Sequence, residues 1–258
     1  MSKKILLVED EAIIAMTTAK MLENHDFEVV NVYKGEKAVE IVEENPDISL
    51  ILMDIDLGTG MDGTEAAQKI REKHEIPIVF LTSHSEKEYV ERVKKITRYG
   101  YVLKNSGDFV LIESINMAFE LFESHQQTKQ SENQYREFVE NSNEGIWKID
   151  SDGVTRFVNT QMQKMLGYTK EYMIGRKFNA FSAVTDSNRS SSFFKERKQG
   201  IFDKHDCVLR HKDGKLVYTI ISCIPEINEE RDFCGATAYV IDITNRILAE
   251  ESIRKSEA

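Results

Sequence analysis

The sequence predicts two units in tandem: a doubly wound α/β unit with a five-stranded parallel sheet, then an α+β unit with a five-stranded antiparallel sheet. Three observations carry this. Short, wholly apolar runs alternate with amphipathic helical stretches in the first half. Strand-like runs cluster around Gly-containing turns in the second. The charge also divides: residues 1–124 carry 14 Lys/Arg against 24 Asp/Glu, giving −10, whereas residues 125–258 carry 20 of each. A chain of 258 residues, 41% of them apolar, is long enough for two cores. The acidic first half argues against nucleic-acid binding there, and the second half has no dense basic patch.

The elements follow in order. Residues 4–9 (KILLVE) form an apolar run ending in carboxylates, and Ile13, Ile14, Thr17, Met21 and Leu22 then mark a helix. Glu28–Val32 reads as strand, Gly35–Glu44 as helix, and Ile48–Met53 as a second wholly apolar strand. Gly63–Lys73 reads as helix, Ile76–Leu81 as strand, Glu86–Lys95 as helix and Gly100–Leu103 as a short strand. A last helix starts near Gly107, with a stripe of Val110, Leu111, Ser114, Ile115, Ala118, Leu121 and Phe122. The polar run from 125 to 140 lacks Gly and Pro and is rich in helix-favouring Gln, Glu, Lys and Arg, so it reads as a helical linker.

Beyond it, Gly145–Asp150 and Val154–Asn159 flank Asp152-Gly153, a hairpin signal. Irregular helical segments occupy about 160–200. Strands are expected over Ile201–Arg210, Leu216–Ile224 and Cys234–Thr244, and the chain closes on an amphipathic helical stretch over 247–258. The start, MSKKILLVEDE, turns acidic where a signal peptide stays apolar, and no apolar run reaches the ~18 residues of a membrane span. A cytoplasmic protein without membrane insertion is expected. Cys207, Cys223 and Cys234 are odd in number and lack metal-type spacing, so they read as reduced thiols.

In a parallel sheet the functional groups gather at the carboxyl ends of the strands. Here those ends carry Glu9, Asp10 and Glu11, then Asp54, then Thr82 and Ser83, then Lys104. Carboxylates converging there repel one another unless a hard cation lies between them, and Mg²⁺ with oxygen ligands fits. Thr82 can donate to a phosphoryl oxygen, and Lys104 pairs with carboxylate or phosphate. A carboxylate nucleophile, a metal, a lysine and a hydroxyl are what phosphoryl transfer to Asp54 requires. Asp54-Ile55-Asp56 also fits a DxD phosphatase nucleophile motif, but those enzymes place it on the first strand, with Thr or Val where this chain has Gly58.

The acidic pair Glu9-Asp10, the strand ILMDIDL, the strand PIVFLTS and the segment YVLK make residues 1–124 resemble a response-regulator receiver domain of flavodoxin-like fold. The separations, 44 residues from Asp10 to Asp54 and 22 from Thr82 to Lys104, suit that family. The resemblance implies that Asp54 is phosphorylated from the phosphohistidine of a histidine kinase. It implies Mg²⁺ held by Asp10, Asp54 and the backbone carbonyl of Asp56, with Glu9 assisting through water. Thr82 and Tyr101 would form the switch. The sequence departs from the family at Asn105, where Pro usually follows the lysine, and in the loop LGTGMDG, which lacks the usual Pro and is slightly longer. Asp56 and His84 lie where the family tunes phosphoryl lifetime.

Residues 132–250 resemble a PAS sensor domain, through YREFVENSNEGIWKIDSDGVTRFVN, MLGYTKEYMIGRK, HKDGKLVYTIIS and AYVIDITNR. The expected division is a receiver over 1–124, a helical linker over 125–140, a PAS domain over 141–246 and the start of a signalling helix over 247–258. Asp242-Ile243-Thr244 resembles the motif joining the last PAS strand to an output helix. GRKFNAF has no Cys, which argues against flavinyl-cysteine photochemistry, and His205 and His211 read as solvated rather than as haem ligands. Trp147, Phe157, Tyr168, Phe178 and Phe181 read as core, leaving the PAS ligand unknown. No phosphoacceptor-His helix, ATP-binding box or DNA-binding output is legible. The expected protein is therefore a two-component signalling adaptor that is not an enzyme, partnered by a histidine kinase and by a second copy through its PAS or helical segments. Alternatives are the regulatory front of a longer histidine kinase and, remotely, the phosphatase.

Overall fold

The computed structural model describes residues 2–83, 96, 97, 99–183 and 202–256. The chain divides into two compact units, Met1–Gln130 and Ser131–Ala258.

The first unit alternates β1 (Lys4–Val8), α1 (Ala12–Glu23), β2 (Glu28–Val32), α2 (Gly35–Glu44), β3 (Ile48–Asp54), α3 (Gly63–Lys73), β4 (Ile78–Thr82) and β5 (Tyr101–Leu103), then enters α4 (Asp108–Glu140). The strands pair in parallel in the order β2-β1-β3-β4-β5. Both faces of the sheet are covered, as wholly apolar strands require. Leu6, Ile51, Met53 and Phe80 pack against α2 and α3 on one side, and Ile5, Leu50, Leu52 and Val79 against α1 and α4 on the other. The predicted helix over Glu86–Lys95, and His84, lie outside the described residues.

Two helical faces differ from the expectation. Helix α1 buries Ala15, Ala19 and Leu22, while Ile13 is 82% exposed. Small alanines let the helix approach the sheet, with Leu22 buried beside them, while Ile13 and Met16 are turned outward. Helix α4 buries Leu111, Ile115, Ala118 and Phe119, leaving Val110 and Leu121 exposed. Strand β4 also runs later than expected, so Thr82 closes the strand instead of following it.

The second unit contains β6 (Gly145–Asp150), β7 (Thr155–Val158), α5 (Thr160–Leu166), α6 (Lys170–Met173), a 3₁₀ turn (Phe178–Phe181), β8 (Asp203–Arg210), β9 (Leu216–Ile227), β10 (Phe233–Asp242) and α7 (Thr244–Ser256). The strands are antiparallel in the order β7-β6-β10-β9-β8. Strand β9 continues through Pro225, beyond the predicted end at Ile224. Pro225 pairs with Ala236 of β10, and the described pairing with β8 spans Leu216 to Cys223. The last strand ends at Asp242 instead of Thr244, because Thr244 opens α7. Its N–H donates to Asp242 Oδ1 at 2.8 Å, and its hydroxyl accepts from Tyr218 N at 3.0 Å.

Candidate functional site

Parallel pairing brings the carboxyl ends of β1, β3, β4 and β5 to one edge of the first unit, with β3 central. Glu9 and Asp10 follow β1, Asp54 ends β3, Thr82 ends β4 and Lys104 follows β5. Glu9, Asp54 and Thr82 are buried and Asp10 is exposed. Carboxylate oxygens of Glu9, Asp10 and Asp54 all lie within 4.8 Å of one another. Lys104 Nζ reaches into this group, donating to Glu9 Oε1 and Asp54 Oδ2, both at 2.8 Å. The other oxygen of Asp54, Oδ1, accepts from Asp56 N at 3.3 Å.

The lysine does not fully compensate the carboxylates. Burial pushes the Glu9 carboxyl above its ordinary pKa; the Lys104 hydrogen bond opposes this, and the charge of Asp54 adds to it. Burial likewise raises Asp54 against the pull of Lys104. Burial works to lower Lys104, but its hydrogen bonds to Asp54 and Glu9 prevail and hold it above the ordinary lysine value. Glu9 Oε2 is in ion contact with Lys104 Nζ at 2.7 Å, yet it receives no properly directed hydrogen bond. A buried, under-satisfied carboxylate oxygen beside two more carboxylates is a hard-oxygen donor set, suited to a divalent cation.

The backbone around Asp54 is closely fitted. Gly63 N donates to Ile55 O at 3.0 Å, and a Cβ at Gly63 would fall 1.8 Å from the Asp54 carbonyl oxygen, so only glycine lets α3 start there. Asp62 caps α3 by accepting from Glu65 N at 2.8 Å. Lys104 N donates to Thr82 O at 2.9 Å, which aligns the ends of β4 and β5. Tyr101 is exposed on β5, opposite Phe80. Among the described residues no peptide bond is cis, so the Lys104–Asn105 bond is trans.

The edge therefore brings together Glu9, Asp10, Asp54, Thr82 and Lys104, with Asp56 directly after. Tyr101 sits one strand-length back. Sequence reasoning missed Glu36, whose Oε1 accepts from Met61 N in the loop after Asp54 at 2.8 Å. No spacing rule links those two positions.

In the second unit Trp147 and Phe181 are buried, with ring centroids 5.4 Å apart and edge to face, and Trp147 Nε1 donates to Thr155 Oγ1 at 3.0 Å. His211 is not simply solvated: it is partly buried, with Nδ1 accepting from Asp213 N at 3.1 Å and the ring against Gly167. Sequence reasoning gave no role to Asn159, which is fully buried and caps α5 by accepting from Met162 N. Its place before a helical run was the available signal.

Residues 5–116 match the family described as response regulator receiver domain, and residues 143–245 match the PAS domain family. The chain carries a response-regulator receiver domain followed by a PAS domain. Receiver domains relay a phosphoryl group and do not turn over a substrate. A curated relative, the transcriptional regulatory protein PdtaR of Mycobacterium tuberculosis, is 36% identical over 122 residues, covering 46% of this chain. The match spans 58% of that relative's length. Among solved structures, the N-terminal domain of a response regulator/sensory box/GGDEF protein from Carboxydothermus hydrogenoformans is 45% identical. The match covers 48% of this chain and 98% of that one, with a TM-score of 0.45. The PAS domain of an HTR-like protein from Haloarcula marismortui is 20% identical, covering 47% and 98%, with a TM-score of 0.43. Among the described residues no helix is long and apolar enough to cross a membrane.

Proposed function

We propose that Asp54 accepts a phosphoryl group from the phosphohistidine of a histidine kinase, and that the change is relayed to the PAS domain. The observation that carries this is the convergence of Glu9, Asp10 and Asp54 within 4.8 Å, bridged by Lys104. In the transfer, an Asp54 carboxylate oxygen forms a bond to phosphorus while the phosphorus–nitrogen bond of the donor breaks. The imidazole leaves and takes up a proton. Lys104, already between Asp54 and Glu9, moves part of its charge onto a phosphoryl oxygen, and the Thr82 hydroxyl donates to another. Glu9, Asp10, Asp54 and the backbone carbonyl of Asp56 would hold Mg²⁺. When bound, the ion supplies charge that lets the carboxylates converge and offsets the negative phosphoryl oxygens.

Movement of Thr82 toward the phosphoryl group leaves space that Tyr101, exposed in this state, fills by turning inward. Helix α4 carries the consequence. It begins four residues after Lys104 and runs without interruption to Glu140. Glu75 holds it on the receiver side through Gln126 at 3.1 Å and Lys129. On the PAS side, Val139 O accepts from Asn159 Nδ2 at 3.0 Å, and Glu140 Oε2 accepts from Thr160 N at 2.8 Å.

The test is a mass spectrum of the intact protein before and after acetyl phosphate with Mg²⁺. The wild type should gain the mass of one phosphoryl group and Asp54→Asn none; label surviving in that variant would remove Asp54 from the role. The native spectrum also reports any small molecule bound in the PAS domain.

A further inference from the structure

The loop between β3 and α3 is one of the two places where the sequence departs from the receiver pattern, and its far side is held by a residue outside the carboxylate cluster. We infer that Glu36, on the first turn of α2, is a positioning residue that seats this loop over the cluster and thereby sets its affinity for Mg²⁺. The inference rests on the phosphoacceptor reading of Asp54.

The loop runs from Leu57 to Asp62 and is fastened at three places. At its start Asp56 N donates to Asp54 Oδ1, and Gly58 lies against Asp10: a Cβ there would come within 3.0 Å of Asp10 Oδ2. At its end Asp62 caps α3 and Gly63 sits on the Asp54 carbonyl. Between them the backbone turns twice through positive φ, +66° at Gly58 and +113° at Gly60. Glycine adopts these angles without steric cost, but it also leaves the chain many other conformations, so the loop needs an outside contact to hold one of them.

Glu36 is that contact. Its Oε1 accepts from Met61 N at 2.8 Å and lies so close over Gly60 that a Cβ there would be 2.8 Å away. Gly35 beside it packs against Met61 O, where a Cβ would fall 2.6 Å from the oxygen. The loop is thus stretched between Asp10, a member of the carboxylate cluster, and the first turn of α2. Releasing the α2 end frees Gly58 to move off Asp10 and frees the Asp56 carbonyl to turn away from the cluster. Glu36 is not one of the three clustered carboxylates and acts only through the loop backbone.

The test uses the full chain and titrates Mg²⁺ against two readouts: acetyl-phosphate labelling of Asp54, and the melting temperature with no phosphodonor present. Glu36→Ala should raise the half-saturating Mg²⁺ concentration about fivefold, the worth of one ordinary hydrogen bond, while the rate at saturating Mg²⁺ stays near that of the wild type. Glu36→Gln keeps an oxygen to accept from Met61 N and should return the half-saturation to within about twofold of the wild type. Glu40→Ala, an exposed change on the same helix that breaks only the Lys37 pair, should leave it unmoved. The inference is overturned by an unchanged half-saturation in Glu36→Ala, by Glu36→Gln behaving like Glu36→Ala, or by Glu40→Ala having the same effect. A wild type that takes no label overturns the reading of Asp54 itself, which is a separate outcome.

Discussion

Two buried polar clusters among the described residues, one in each unit, are built on opposite terms. In the PAS domain Asn159 is neutral and fully satisfied. Its Oδ1 accepts from Ile146 N and Met162 N, both at 2.9 Å, and its Nδ2 donates to Val139 O at 3.0 Å and Glu144 O at 2.9 Å. It joins the end of α4, the start of β6 and the first turn of α5. In the receiver, three carboxylates converge, Lys104 bonds two of them, Glu9 and Asp54, and a buried oxygen of Glu9 lacks a directed donor. A satisfied polar centre specifies a fold; an under-satisfied one is held by the surrounding fold for a ligand. On the proposed function, the contrast separates the residue that builds the protein from the residues that work in it.

Removing Asn159 should therefore have the largest effect on stability. Asn159→Ala leaves four backbone groups without their partner and should destabilise the PAS domain by about 3 kcal/mol, read as a lowered midpoint in urea unfolding. A loss near zero would mean that water replaces the side chain at no cost and that the centre is not structural. Asp54→Asn should act in the opposite direction. It removes a buried charge that repels Glu9, so the receiver should gain about 1 kcal/mol in the absence of divalent cation, seen as a raised melting temperature. The same variant should lose most of the melting-temperature increase that added Mg²⁺ gives the wild type. A destabilised Asp54→Asn would show that the Lys104 bridge outweighs the repulsion.

Acidification should sharpen the contrast by a smaller effect. The pKa values of Glu9 and Asp54 are raised in the folded receiver, so the native state binds more protons than the unfolded one. Their contribution to stability is fully present below the unfolded carboxylate pKa and declines as pH rises through the folded values. Asp150 in the PAS domain behaves oppositely. Burial pushes it up, but the N–H groups of Val154 and Asp152 and the side chain of Arg156 prevail and lower it. Its contribution is present above the unfolded carboxylate pKa and is lost as pH falls through the folded value. Hydrogen exchange measured domain by domain, from neutral pH down to about 4, should show protection falling in the β6–β7 turn while it holds or rises around β1 and β3. Parallel loss in both regions would refute the assignment.

Much of this was legible in the chain. Largely apolar β1, β3 and β4 announced a sheet covered on both faces, and the positions of Glu9, Asp10, Asp54, Thr82 and Lys104 at the strand ends announced the edge where they meet. Both follow from local periodicity and from the rule that parallel strands share a direction. The Asp152-Gly153 hairpin was legible in the same way. The buried face of α1 was not, because two stripes compete at helical spacing and the sequence does not say how near the sheet lies. Alanine wins over isoleucine there only once the helix is docked.

What the sequence by itself determined is the set of chemical groups and the strand ends that carry them. What only the tertiary structure decided is how far those groups are satisfied: that Glu9 is wholly buried, that Lys104 is divided between two carboxylates, that Asn159 closes four hydrogen bonds, and that Glu36 reaches the loop beside Asp54. Each of these is a contact between elements distant in the chain. Such contacts depend on docking distances and on solvent exclusion, and neither has a period that a sequence can display.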